Sequence, residues 1–114
     1  MILQNITTNT TIARNLSLKT SLLSKTLGLI GKHSITPIYF TTRWGIHTFG
    51  VRHPITIFVC SKQNQQFHVQ KIKSPLNPNQ IYLYNPQYNH IFELPYQEYP
   101  VKIGNIIQLI NNCV

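Results

Sequence analysis

Aspartate is absent from this chain, and Glu93 and Glu98 are its only carboxylate side chains. A Ser/His/Asp arrangement needs an acid to orient its base in most versions, so that chemistry has almost nothing to draw on here. Cysteine is scarce as well. Cys60 and Cys113 are too few for a disulfide framework, and Cys60 ends an apolar run where it reads as a small buried hydrophobe. No run of about eighteen apolar residues appears, so no membrane span is indicated. The opening MILQNITTNTTIARNLS lacks the early basic residues and long apolar block of a secretory signal, which makes the cytoplasm the default compartment. His33, His47, His53, His68 and His90 are scattered, with no pair four residues apart, so no metal ligand set is expected. Nothing points to a cofactor. Asn5-Ile6-Thr7, Asn9-Thr10-Thr11 and Asn15-Leu16-Ser17 fit the glycosylation acceptor pattern, but in an Asn/Thr-rich segment they read as chance.

What is present is positive charge. Ten Lys and Arg against two Glu give +8. Such a balance favours anionic partners through long-range attraction. The cations are spread from Arg14 to Lys102 without a dense run, however. A solvated surface whose acidic positions have drifted to Asn, Gln and Thr accounts for them equally well. Nucleic-acid binding is therefore a second reading, since charge is only the first of its signatures. Tyr82, Tyr84, Tyr88, Phe92, Tyr96 and Tyr99 lie near Lys71 and Lys73, a combination that suits single-stranded nucleic acid or a small β core.

The chain has 114 residues, 42% of them apolar, which fits one domain with one core. Leu16, Leu23, Leu27 and Ile30 recur at spacings of seven, four and three, widened by Leu18, Leu22 and Leu29. That pattern predicts a helix over about 17–27, capped by Asn15 or Ser17 and ended by Gly28 and Gly31. After it the pattern is β. ITPIYFTT (35–42), PITIFVC (54–60), Phe67 to Ile72, Tyr82 to Tyr84, HIFEL (90–94) and IIQLI (106–110) all read as strands. A short strand around Ile2-Leu3 precedes the helix. Lys62 to Gln65 reads as a hairpin turn, and SPLNPN (74–79) as a loop. The expectation is a mainly β domain: a small closed or nearly closed β-barrel of about six to seven strands with one short covering helix.

The chemistry concentrates in IHTFGVRHPI (46–55). Strand alternation places His47 and Phe49 on one side and Thr48 and Arg52 on the other. Gly45 and Gly50 would have to break it for His47 and Arg52 to share a cleft around 46–54. Arg52 would then hold a carboxylate or phosphate with its planar fork, and His47 would hydrogen-bond or move a proton. Alternatively, both side chains satisfy loop carbonyls and lock the entry to the next strand.

In order, LGLIGK (27–32), IHTFGVRHPI (46–55), the FELP segment (92–95) and IGNIIQL (103–109) resemble the family known as domain of unknown function 192, over about residues 12–110. The resemblance implies a compact β-rich domain with a small helical element. Members stand alone, many are exported in bacteria and archaea, and the family offers no established enzyme activity. It implies functional positions at Gly31, Lys32, His47, Thr48, Phe49, Arg52 and Pro54, with Lys32 standing where an arginine is usual. The chain departs from the pattern at Thr56 and Asn105, where acids are usual, and in the turn 62–64. Residues 96–102 are too short and proline-bound for the helix expected there. The function this implies is non-catalytic. The chain would bind a small anionic ligand or a protein partner through Lys32, His47, Thr48, Phe49 and Arg52. A hydrolase-like enzyme with His47 as base is the lesser alternative.

Overall fold

A computed structural model describes residues 1–18, 37–42, 45–49 and 52–111. Its centre is β6 (Ile55–Gln63). Every residue from Ile55 to Cys60 is buried, so the apolar run of the sequence is a strand covered on both faces. Pro54 stands just before it, where a missing N–H costs no ladder bond. β6 turns through Asn64-Gln65 into β7 (Gln66–Leu76), with Gln63 opposite Gln66. Asn64 has φ 59°, a left-handed conformation that asparagine tolerates better than most residues. On its other side β6 pairs antiparallel with β9 (His90–Pro95).

The remaining strands extend this centre both ways. β10 (Ile106–Ile110) joins β7, β1 (Ile2–Asn5) joins β10, and β2 (Thr10–Ala13) ends that side. β4 (Ile38–Thr41) joins β9, and β3 (Ser17–Leu18) ends the other side in parallel with β4. The order is β2-β1-β10-β7-β6-β9-β4-β3, one eight-stranded sheet. β5 (Gly45–His47) and β8 (Ile81–Leu83) form a separate antiparallel ribbon.

The two end strands, β2 and β3, are neighbours in sequence, linked only by Arg14, Asn15 and Leu16. The sheet therefore curls until its ends lie one short turn apart. It does not close into a barrel. The linker directs its backbone groups elsewhere: Leu16 and Met1 exchange N–H···O bonds of 2.9 and 3.0 Å, and Ser17 N–H donates to Pro37 O. The expected helix over 17–27 is not seen at its start, where Ser17–Leu18 is strand, and its remainder lies outside the described residues. No helix occurs among the described residues. Among the described residues ten strands stand in place of six or seven.

Alternation along β6 divides the core. Ile55, Ile57 and Val59 face one side with Ile38, Phe40, Leu76, Tyr84 and Ile91, and the ribbon lays Ile46 and Tyr82 over them. Phe58 and Cys60 face the other side with Leu3, Leu16, Phe67, Val69, Phe92, Leu94 and Ile107, and Tyr99 and Val101 cover part of that cluster. Burial pushes the Cys60 thiol well above its ordinary range, so it behaves as the small hydrophobe its position implied.

Candidate functional site

Residues 45–47 form one strand of the ribbon rather than the mouth of a barrel. Gly45 pairs with Leu83, Ile46 with Tyr82 and His47 with Ile81. Gly45 has φ +151°, and a Cβ there would strike the Tyr82 carbonyl oxygen, so only glycine fits. Alternation persists through Phe49. Ile46 and Thr48 point inward, while His47 and Phe49 are exposed and stack on each other, ring centroids 5.0 Å apart at 27°.

Thr48 is completely buried. Its hydroxyl donates to Asn77 O at 2.6 Å and accepts from Gln80 N–H at 2.9 Å. Its backbone N–H donates to Gln80 O, and its carbonyl accepts from Asn79 N–H. The locking role that sequence reasoning offered to His47 and Arg52 thus belongs to Thr48, which ties the ribbon to the 77–80 turn. Arg52 and His53 are exposed. Lys32, Gly31 and Gly50 lie outside the described residues.

Two clefts open elsewhere, on the Phe58 face. The larger holds about 490 Å³. Phe58, Ile72 and Val101 form its apolar wall, Thr56 and Ser74 its hydroxyl edge, and Tyr96 to Tyr99 its outer lip. The second, about 460 Å³, lies between Thr11–Arg14 of β2 and Pro37, and shares Gln97 and Tyr99 with the first. Tyr99 therefore stands between the two. Its ring meets Phe58 edge-on at 5.8 Å, and its hydroxyl donates to Pro95 O at 2.6 Å. Burial raises its phenol to about 12, so it remains a neutral donor.

Within the larger cleft, Thr56 and Ser74 hydroxyls bond to each other at 2.8 Å. Tyr96, Gln97 and Glu98 carry no side-chain bond to the described residues and reach into solvent. Among the described residues no Lys, Arg or His lines the cleft. Thr56, where the resembled family has an acid, sits at its base. Sequence reasoning missed this site because 96–102 has no periodicity. One signal was available: this irregular segment, rich in aromatics, carries one of the chain's two carboxylates.

Among the described residues no three His, Cys, Asp or Glu side chains gather to hold a metal ion, and no helix is long and apolar enough to cross a membrane. Asn5, the first glycosylation-pattern asparagine, is buried, with its amide donating to Pro100 O and Asn105 Oδ1.

Fold and cleft together define a mainly β domain with a small-ligand-sized opening beside Tyr99. No family model matches the chain, and no curated protein matches it. Among solved structures, it is similar to the crystal structure of a protein of unknown function from Novosphingobium aromaticivorans DSM 12444, with a TM-score of 0.72 and 9% identity over 95% of this chain and 82% of that one. At that identity the likeness is one of fold.

Proposed function

We propose that the chain is a non-catalytic binding domain, of the kind its 46–55 stretch resembles, and that it takes a small ligand in the cleft beside Tyr99. The observation that carries this reading is the cleft itself. Its 490 Å³ falls in the range of small-molecule sites, and it combines an apolar wall with Gln97 and Glu98 as polar groups bonded to no other described residue. The lining has one carboxylate and no cation, so a neutral, hydroxyl-bearing ligand fits it better than an anion. An anion would find its partner at Arg52, outside the cleft.

His47 stacks on Phe49 and holds no hydrogen bond to a carboxylate among the described residues. Cys60 is buried and kept protonated.

A thermal-shift panel of sugars, organic acids and nucleotides tests the proposal. A ligand at a hundredfold its Kd stabilises the folded state by about 2.7 kcal/mol. One class should raise the melting temperature of the wild type and of a His47→Ala/Arg52→Ala variant, but not of Tyr96→Ala/Gln97→Ala. The reverse pattern would return the site to 46–52. A response to nucleotides that collapses with salt would favour the nucleic-acid reading instead. No response to any class would reject small-ligand binding.

A further inference from the structure

A two-stranded ribbon lying on a core ordinarily alternates, apolar toward the core and polar toward water. This ribbon is apolar on both faces. Ile46 and Tyr82 pack inward. On the outer face, register puts His47 beside Ile81 and Gly45 beside Leu83, with Phe49 stacked on His47. Leu83 is 70% exposed, Ile81 62% and Phe49 48%. These are among the most exposed large apolar side chains described, and three of them share one small surface. Such clustering marks an interaction face rather than the ordinary scatter of surface hydrophobes.

The charge around that face has one sign. Glu93 is the first carboxylate side chain in the sequence, so the whole ribbon and both its flanks contain none. Glu93 is itself buried, and Glu98 lines the cleft on the Phe58 face. Arg52, exposed and without a hydrogen bond or ion pair among the described residues, follows Phe49 by three positions and so lies within about 11 Å of it along the chain. The face joins exposed apolar side chains to one nearby cation, Arg52, on a chain of net charge +8.

We infer that the outer face of the β5–β8 ribbon is a peripheral contact for an anionic phospholipid surface. Leu83, Ile81 and Phe49 enter the boundary between headgroups and acyl chains, and Arg52 meets a headgroup phosphate. Insertion of apolar side chains and attraction of basic residues to anionic lipid are the two contributions that hold a protein on a bilayer surface. Competing occupants fit less well. Ile and Leu offer no π face, so single-stranded nucleic acid would find only Phe49 and His47 to stack on. A second copy would bring another +8 against the first.

The test is co-sedimentation of the full chain with phosphatidylcholine vesicles, with and without about a third phosphatidylglycerol. Binding is expected only with the anionic lipid, weakening as salt rises. Ile81→Thr/Leu83→Thr, which puts a β-branched strand former at both positions, should weaken binding by about tenfold or more, given the apolar area withdrawn. Arg52→Gln should weaken it several-fold and serves as an independent variant should the threonine pair melt early. The inference is overturned if the wild type ignores anionic vesicles. It is equally overturned if the threonine variant, folded, binds them as the wild type does, because charge alone would then be responsible. Loss of single-stranded oligonucleotide binding in the same variant, with vesicle binding intact, would assign the face to nucleic acid.

Discussion

The two faces of β6 are built differently. On one, Ile55, Ile57 and Val59 pack with Ile38, Phe40, Leu76 and Ile91 beneath a ribbon fastened by Thr48. On the other, Thr56, Phe58 and Cys60 meet aromatic rings beneath an irregular segment that leaves two clefts. Both faces contain a buried threonine, and the pair shows the difference. Thr48 bonds to two backbone groups of a distant turn, so its role is complete within the fold. Thr56 bonds only to the Ser74 hydroxyl at a cleft edge, where a ligand can compete for either group. A sealed face stabilises, and an open face leaves chemistry available.

Truncation on each face tests this contrast, and it carries the largest expected effects. Ile57 is completely buried within the sealed face. Ile57→Ala should leave an enclosed void and cost about 4 kcal/mol, near the upper part of its class. Phe58 is the larger side chain, yet its ring lines the 490 Å³ cleft. Phe58→Ala merges its space with the cleft, which water enters, and should cost about 3 kcal/mol, the lower end for such a change. Urea denaturation of both variants gives the comparison. A Phe58→Ala loss clearly larger than that of Ile57→Ala would show the second face to be as sealed as the first.

Next in size is Thr48→Val. It preserves shape and removes the hydroxyl of a buried side chain, breaking its bonds to Asn77 O and Gln80 N–H. A loss of about 2 kcal/mol is expected, with Thr48→Ser recovering most of it. Thr56→Val should cost less, because it breaks one hydroxyl–hydroxyl bond where Thr48→Val breaks two bonds to backbone groups, and the freed Ser74 hydroxyl can turn to water. Equal losses at the two threonines would erase the distinction between a fastening and an edge.

Much of the sheet was legible because its strands carry their own signals. β6 is an apolar run opened by proline, Asn64 marks the hairpin, and β9 and β10 are short apolar runs between turn residues. Three elements carry no such signal. β2 is Thr-Thr-Ile-Ala, and its pairing with β1 comes from tertiary contact. Leu16 and Leu18 fit a helical spacing, yet Leu16 is buried and Leu18 half-exposed, the alternation of extended chain. The ribbon joins 45–47 to 81–83, and no local pattern announces so distant a partner. The same distance hid the role of Thr48, whose partners Asn77 and Gln80 lay in a stretch read simply as loop. Alternation did place His47 and Phe49 together and Thr48 opposite them. It could not tell that the inward side was sealed and the outward side apolar.

The smallest effect concerns pH at the rim of the open face. His90 continues the side of β9 that carries Phe92 and Leu94. Its ring lies parallel to Tyr39 and edge-on to Phe67, and its Nδ1 is 2.6 Å from the Tyr39 hydroxyl. Burial holds the Tyr39 phenol at about 12, so the hydroxyl stays neutral and donates to Nδ1 whenever Nδ1 carries no proton. Burial, and then the nearby charge of Lys62, push the His90 pKa below its ordinary value. Protonation of Nδ1 would reverse the bond to Tyr39 and place a second cation beside Lys62. The unfolded chain has no such obstacle and binds the proton first. Stability contributed by neutral His90 is thus fully present above the ordinary histidine pKa of about 6.5 and is lost as pH falls from there through the lower folded value. His90→Gln removes this contribution, so denaturation of wild type and variant between about pH 7.5 and 5 should give a steeper acid loss in the wild type. Parallel curves would mean that His90 takes its proton as readily in the folded chain as in the unfolded one, and that the open face is wetter at its rim than the Tyr39 contact implies.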